Sequence, residues 1–138
     1  MAEFTYDDVV NKLRLLKINY IEQHIGSDPS QLTNHLAEFL GYATLLYDHY
    51  ATVLRKYRKA EATILQEESK YREEQNANIE GRSGKVTVTE VEQRVSVRLS
   101  EIRALRDFLE TEVKGATLHI NGCQSLLKNW SDEAKGIR

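Results

Sequence analysis

Almost nothing in this sequence interrupts a helix. It holds one proline, Pro29, one cysteine, Cys123, and seven glycines in 138 residues. A single cysteine has no partner for an intramolecular disulfide, which excludes a disulfide-stapled scaffold and points to a reducing, cytoplasmic setting. No apolar run approaches the ~20 residues of a membrane span, so no membrane association is expected. The start, MAEFTYDDVV, has neither the basic nor the apolar segment of a signal peptide, and no secretion signal is expected. An excess of positive charge is missing too: 19 Lys and Arg stand against 21 Asp and Glu, for a net charge of −2. A strong polyanion binder usually carries a basic excess over its whole domain. Any nucleic-acid role must therefore rest on a local patch. Residues 55–106 are the one third of the chain with a basic excess, 12 basic against 9 acidic side chains.

The catalytic inventory is equally thin. No Ser-His-Asp or Cys-His grouping sits beside a glycine-rich turn, and no paired carboxylates flank a histidine. The chain is expected to be no enzyme, with no catalytic residues and no cofactor. His119 and Cys123 are spaced i, i+4, as two metal ligands on one helix are. Two ligands do not complete a site, Cys123 falls on an apolar stripe, and the expectation is no metal. His35 and His49 stand four turns apart, too far to act on one atom.

What the chain does have is heptads. Leu32, Leu36, Phe39, Ala43, Leu46, Tyr50, Val53, Tyr57, Ala60 and Ile64 follow at alternating steps of four and three. That is the seam of a helix packed along its length against other helices. Asp28 as N-cap and Pro29 at the first position start this helix, which is expected over residues 29–80 and roughly 75 Å long. A shorter helix before it, about residues 5–25, is capped by Thr5 and ended by Gly26. A hinge at residues 81–86, with Gly81 and Gly84, precedes the capping box Thr87/Glu90 of a last helix over 88–130. Its stripe is Val91, Val95, Leu99, Ile102, Leu105, Leu109, Val113, Ala116, Ile120, Cys123, Leu127 and Trp130, and a polar tail follows at 131–138. Gly115 and Gly122 fall inside it at a cost of about 1 kcal/mol each, so close packing against the small stripe Ala37, Gly41, Thr44 and Ala51 is expected. The fold expected is all-α: one domain, residues 1–138, built as a long antiparallel helical hairpin with a shorter N-terminal helix. Two long seams cannot all be buried in one thin monomer, so homo-oligomerisation as a helical bundle is expected.

Two stretches invite a polyanion. Arg55, Lys56, Arg58 and Lys59 surround Tyr57 in the middle of the long helix. The cations suit phosphates and the ring suits a stacked base. Tyr57 also lies on the heptad seam, where core packing competes for it, and Asp107, Glu110 and Glu112 are candidates to neutralise the cluster. The hinge adds Arg82 and Lys85 beside glycines, although GRSGK lacks the spacing of a P-loop. Because the chain is negative, its cations serve DNA only if an oligomer gathers them on one surface.

The order of parts resembles the small all-helical recombination mediators of tailed phages, the UvsY-like proteins. The resemblance rests on layout: a short first helix, a long helix with the basic-aromatic stretch LYDHYATVLRKYRKAE, the glycine-containing turn EGRSGK, and a long final helix ending near EAKG. It implies a ring-like homo-oligomer that binds single-stranded DNA and helps load a recombinase while a single-strand-binding protein is displaced. It also implies host cytoplasm as the setting, and Arg55 to Lys59 as the counterpart of the family's basic stretch. The alternative is a helical assembly or adaptor protein that binds only other proteins through coiled-coil seams.

Overall fold

The structure, a computed structural model, describes residues 4–77, 79 and 84–136. The described chain is all-α. Its elements are α1 (Tyr6–Glu22), a 3-10 turn (Ile25–Ser27), α2 (Pro29–Asn76) and α3 (Val88–Ala134). The helix starts follow the capping chemistry. Thr5 Oγ1 accepts from the Asp8 backbone N–H, and the Asp8 carboxylate accepts from the Thr5 N–H. Asp28 accepts from the N–H groups of Ser30 and Gln31. Thr87 accepts from the N–H of Glu90. Each bond satisfies a donor that a helix start leaves without an intrahelical partner.

The helix ends differ from expectation in three places. α1 stops at Glu22, because His24 takes the left-handed conformation at φ 50° and turns the chain before Gly26 is reached. Gly26 has a packing reason instead: a Cβ there would lie 2.7 Å from the Tyr20 hydroxyl oxygen. α2 ends at Asn76, short of residue 80. α3 runs past Trp130 to Ala134, since nothing between Ser131 and Ala134 breaks it and Gly136, at φ 71°, supplies the left-handed stop. Gly84, at φ 82°, is left-handed at the entry to α3. The expected hinge falls partly on residues 81–83, which lie outside the described residues.

Two compact units divide the chain: residues 1–50 with 109–138, and residues 51–108. In the first, the buried apolar set is Val9, Val10 and Leu13 from α1, Leu32, Leu36, Phe39, Ala43 and Leu46 from α2, and Leu109, Ala116, Ile120 and Cys123 from α3. The core therefore follows the heptad seam of α2 and the stripe of α3, with Tyr50, Val113, Leu127 and Trp130 of the same rows half-buried. In the second unit, Tyr57, Val91, Val95 and Leu99 are buried together, with Ala60, Ile64, Val86 and Ile102 packed against them.

The seam of the second unit continues one step beyond Ile64 to Glu68, which is buried at 4% exposure. Arg94 donates to its Oε2 at 2.6 Å and Arg98 to its Oε1 at 3.1 Å, while Arg98 also reaches Glu67. The hydrogen bond from Arg94, with that from Arg98, holds the Glu68 carboxyl below the usual carboxylate range against the opposing effect of burial. A carboxylate at a core position is tolerated only when its lone pairs are met in this way. The return segment is tied by Asn76, whose amide donates to the Val86 carbonyl and accepts from the Val86 N–H, with Arg72 Nε donating to the same carbonyl.

The small-residue stripe does not do what its spacing suggested. Ala37, Gly41, Thr44 and Ala51 are exposed. A Cβ at Gly41 or Gly122 would meet nothing within 4 Å, and one at Gly115 would meet only the Lys17 Nζ, at 3.3 Å. Nothing in this chain needs Gly122, so Gly122→Ala is expected to stabilise it by up to about 1 kcal/mol, read as a higher urea midpoint. A lower midpoint, with loss of assembled mass in light scattering, would show that the glycine serves contact with a second chain.

Candidate nucleic-acid interface

The basic stretch lies in the second unit, on α2. Successive residues of an α-helix turn by about 100°, so Arg55, Lys56, Arg58 and Lys59 spread over an arc of roughly 160° centred opposite Tyr57. Their burial follows that geometry. Tyr57 is 7% exposed, and all four cations are exposed. The heptad seam fixes the orientation: burying Tyr57 turns its charged neighbours outward.

Tyr57 itself is fully engaged. The Arg106 guanidinium lies over its ring, 4.3 Å from the centroid, and its hydroxyl donates to Glu61 Oε2 at 2.7 Å. A ring held between core and guanidinium has no free face for a base. Of the two roles the sequence left open for Tyr57, packing is the one its surroundings match.

The carboxylates considered as neutralising partners have other cations. Glu112 pairs with Arg14 at 2.8 Å, Glu110 with Lys114 at 3.1 Å and Asp107 with Arg106 at 2.8 Å. Among the described residues, no ion pair involves Arg55, Lys56, Arg58 or Lys59; Arg55 donates a long hydrogen bond to Thr52 Oγ1 at 3.4 Å. From Ala51 to Gln66 the outward arc of α2 carries no carboxylate, since Glu61 turns toward Tyr57. The result is a compact cationic face on a rigid helix, able to meet phosphate oxygens without first breaking an ion pair.

Of the two hinge cations, Lys85 is not part of that face. Lys85 is exposed. It neighbours Val86, which is bound to Asn76, 19 residues from Tyr57 along α2. At 1.5 Å per residue the separation along the helix is roughly 28 Å. Arg82 lies outside the described residues. Two further arginines of this unit are committed: Arg94 and Arg98 hold Glu67 and Glu68, with Arg94 also lying 4.2 Å from the Tyr71 ring centroid.

No family model matches the chain, no curated protein is significantly similar to it, and no solved structure is significantly similar to it in fold. No helix among the described residues is long and apolar enough to cross a membrane.

Proposed function

We propose that this protein is a recombination mediator of the phage type: a homo-oligomer that binds single-stranded DNA and helps load a recombinase while a single-strand-binding protein is displaced. The observation that carries the proposal is the four-cation face of α2, exposed, without ion pairs among the described residues and turned outward by the burial of Tyr57. The face binds phosphates, so it holds a strand without reading its sequence. Lys85 and Arg82 remain in the proposal as further phosphate contacts, to be supplied by other copies in an assembly. Tyr57 contributes by fixing the helix face, not by stacking.

In this reading α2 and α3 form a long antiparallel hairpin. Support comes from the pairs of the second unit: Tyr57 meets Arg106, Glu68 meets Arg98 and Arg94, and Asn76 meets Val86, so the partner's number falls as that of α2 rises. Support for assembly comes from the first unit. Leu15, Ile18 and Ile21 form an exposed i, i+3 row on α1, at 54%, 48% and 71% exposure. Leu118 and Leu126 flank Gly122 on the outer side of α3. Apolar rows of this kind are what a helical bundle of several copies covers. Assembly also multiplies modest contacts per chain into useful avidity.

The same apolar rows favour the second reading, a helical adaptor that binds only proteins. One experiment separates the two. Fluorescence anisotropy with labelled oligo-dT, oligo-dA and a mixed-sequence strand at low salt is expected to show binding to all three, with little preference. Light scattering on the same sample is expected to give a mass above the 15.9 kDa chain. An assembled protein with no affinity for any of the three strands would leave the adaptor reading in place of the mediator.

A further inference from the structure

The first unit brings together three metal-ligating side chains that the sequence keeps apart. His35 comes from α2, and His119 and Cys123 from successive turns of α3. The Nε2 atoms of the two histidines are 2.8 Å apart, and Cys123 Sγ lies 3.7 Å from His119 Nε2. All three ligand atoms fall within 4.8 Å of one another. His35 and Cys123 are buried, at 5% and 1% exposure. Aromatic rings wall the cluster. Tyr20 has its centroid 5.2 Å from that of His35 and 4.9 Å from that of His119, and Phe39 packs 4.5 Å from His119.

We propose that His35, His119 and Cys123 bind one thiophilic divalent transition-metal ion of the zinc class, through both Nε2 atoms and Sγ, with water as the fourth ligand. Two imidazoles and a thiolate suit zinc and its neighbours, and they do not suit calcium or magnesium. With metal–nitrogen bonds of about 2.05 Å and a metal–sulfur bond of about 2.3 Å, a tetrahedral site needs its nitrogens about 3.3 Å apart and nitrogen to sulfur about 3.6 Å. The His119–Cys123 distance of 3.7 Å already fits, the histidine pair need open by about half an ångström from 2.8 Å, and His35 Nε2 and Cys123 Sγ, within 4.8 Å of one another, must also settle at about 3.6 Å. The helix-turn spacing of His119 and Cys123 holds two ligands on one rigid element, which reduces the ordering cost of binding.

The protonation states suit the site. Burial, with His35 and Lys17 nearby, pushes His119 down to about 4, and burial lowers His35 against the opposing influence of Glu38. Both imidazoles are therefore neutral at pH 7. One of them carries the Nε2 proton that joins the pair; on binding that proton moves to Nδ1 of the same ring, which frees both Nε2 lone pairs with no net change in protons. Burial raises the Cys123 thiol, so it enters as S–H. Binding breaks that S–H bond, forms the metal–sulfur bond and delivers one proton to solvent. A groove of about 350 Å³, lined among others by Asn19, Gln31, Asn34 and Glu38, has His35 in its wall. The bound ion would fasten α2 to α3 within this unit.

Chelator-stripped full-length protein titrated with Co²⁺ near neutral pH tests the site. One ion per chain is expected, with a thiolate-to-cobalt charge-transfer band in the near ultraviolet. About one proton should be released per ion, and Zn²⁺ should displace the cobalt. Cys123→Ser should abolish the band, and His35→Gln should weaken Co²⁺ binding at least about tenfold. His24→Asn, outside the cluster, should change neither, with circular dichroism confirming that each variant keeps its helix content. Absence of the band in the unmodified chain at millimolar Co²⁺, or a band that survives Cys123→Ser, overturns the proposal.

Discussion

Alanine at Arg55, Lys56, Arg58 and Lys59 together is expected to weaken binding to a single-stranded oligonucleotide by more than about tenfold at 50 mM salt, since the proposed function assigns most of each chain's phosphate contacts to these cations. Helix content and assembled mass should not change. The four side chains are exposed and form no ion pairs among the described residues. Alanine is moreover the strongest helix former. The comparison that gives this result meaning is Tyr57→Phe. It removes the hydroxyl that donates to Glu61 but keeps the ring under Arg106, so affinity should stay near that of the unmodified chain. Binding that survives the quadruple substitution would move the DNA-contacting surface elsewhere on the protein.

The largest effect on stability is expected from Phe39→Ala. Phe39 is completely buried, and its ring packs against His119 and His35. Removing it costs the transfer free energy of the ring and leaves a cavity, together about 3–5 kcal/mol. Typical domains have only about 5–15 kcal/mol of stability, so the urea midpoint should fall sharply. Leu45→Ala, at a position 37% exposed on the same helix, should cost much less. Equal losses for the two substitutions would mean that the seam of α2 is not the core of the first unit.

Much of the fold was legible because the seam is regular. Steps of three and four from Leu32 to Ile64 announced one long helix, and Thr5, Asp28 and Thr87 announced where helices begin. Helix ends were less legible. The left-handed turn at His24 carries no glycine to mark it, whereas the continuation to Ala134 was open to reading from the absence of a breaker before Gly136. The glycines misled for a different reason. A Gly122 that faces open space looks, in a sequence, the same as one pressed against a neighbouring helix.

The candidate site divides in the same way. Four cations around one seam tyrosine are enough to predict an outward basic face, because helical periodicity alone turns Arg55, Lys56, Arg58 and Lys59 away from Tyr57. Glu110 with Lys114 is an i, i+4 pair on one helix and was legible in the sequence, whereas the pairing of Glu112 with Arg14 of α1 was not, since nothing local brings the two together. Register also hid the third ligand of the histidine–cysteine cluster. Reflecting the chain about Ser83 sets His35 level with Ser131, whereas His35 meets His119, twelve residues earlier. A histidine on a buried helix face, level with a second histidine and a buried cysteine, is a signal that only the folded pairing reveals.

The most direct measurement of the DNA-binding claim is the salt dependence of affinity for a labelled single-stranded oligonucleotide, followed by anisotropy. Each phosphate neutralised on a single strand contributes about −0.7 to the slope of log K against log salt. Four cations engaged on one chain therefore predict a slope near −3, and several chains on one strand a steeper one. A slope near zero, or no binding even at the lowest salt, would contradict a cationic face built to hold single-stranded DNA.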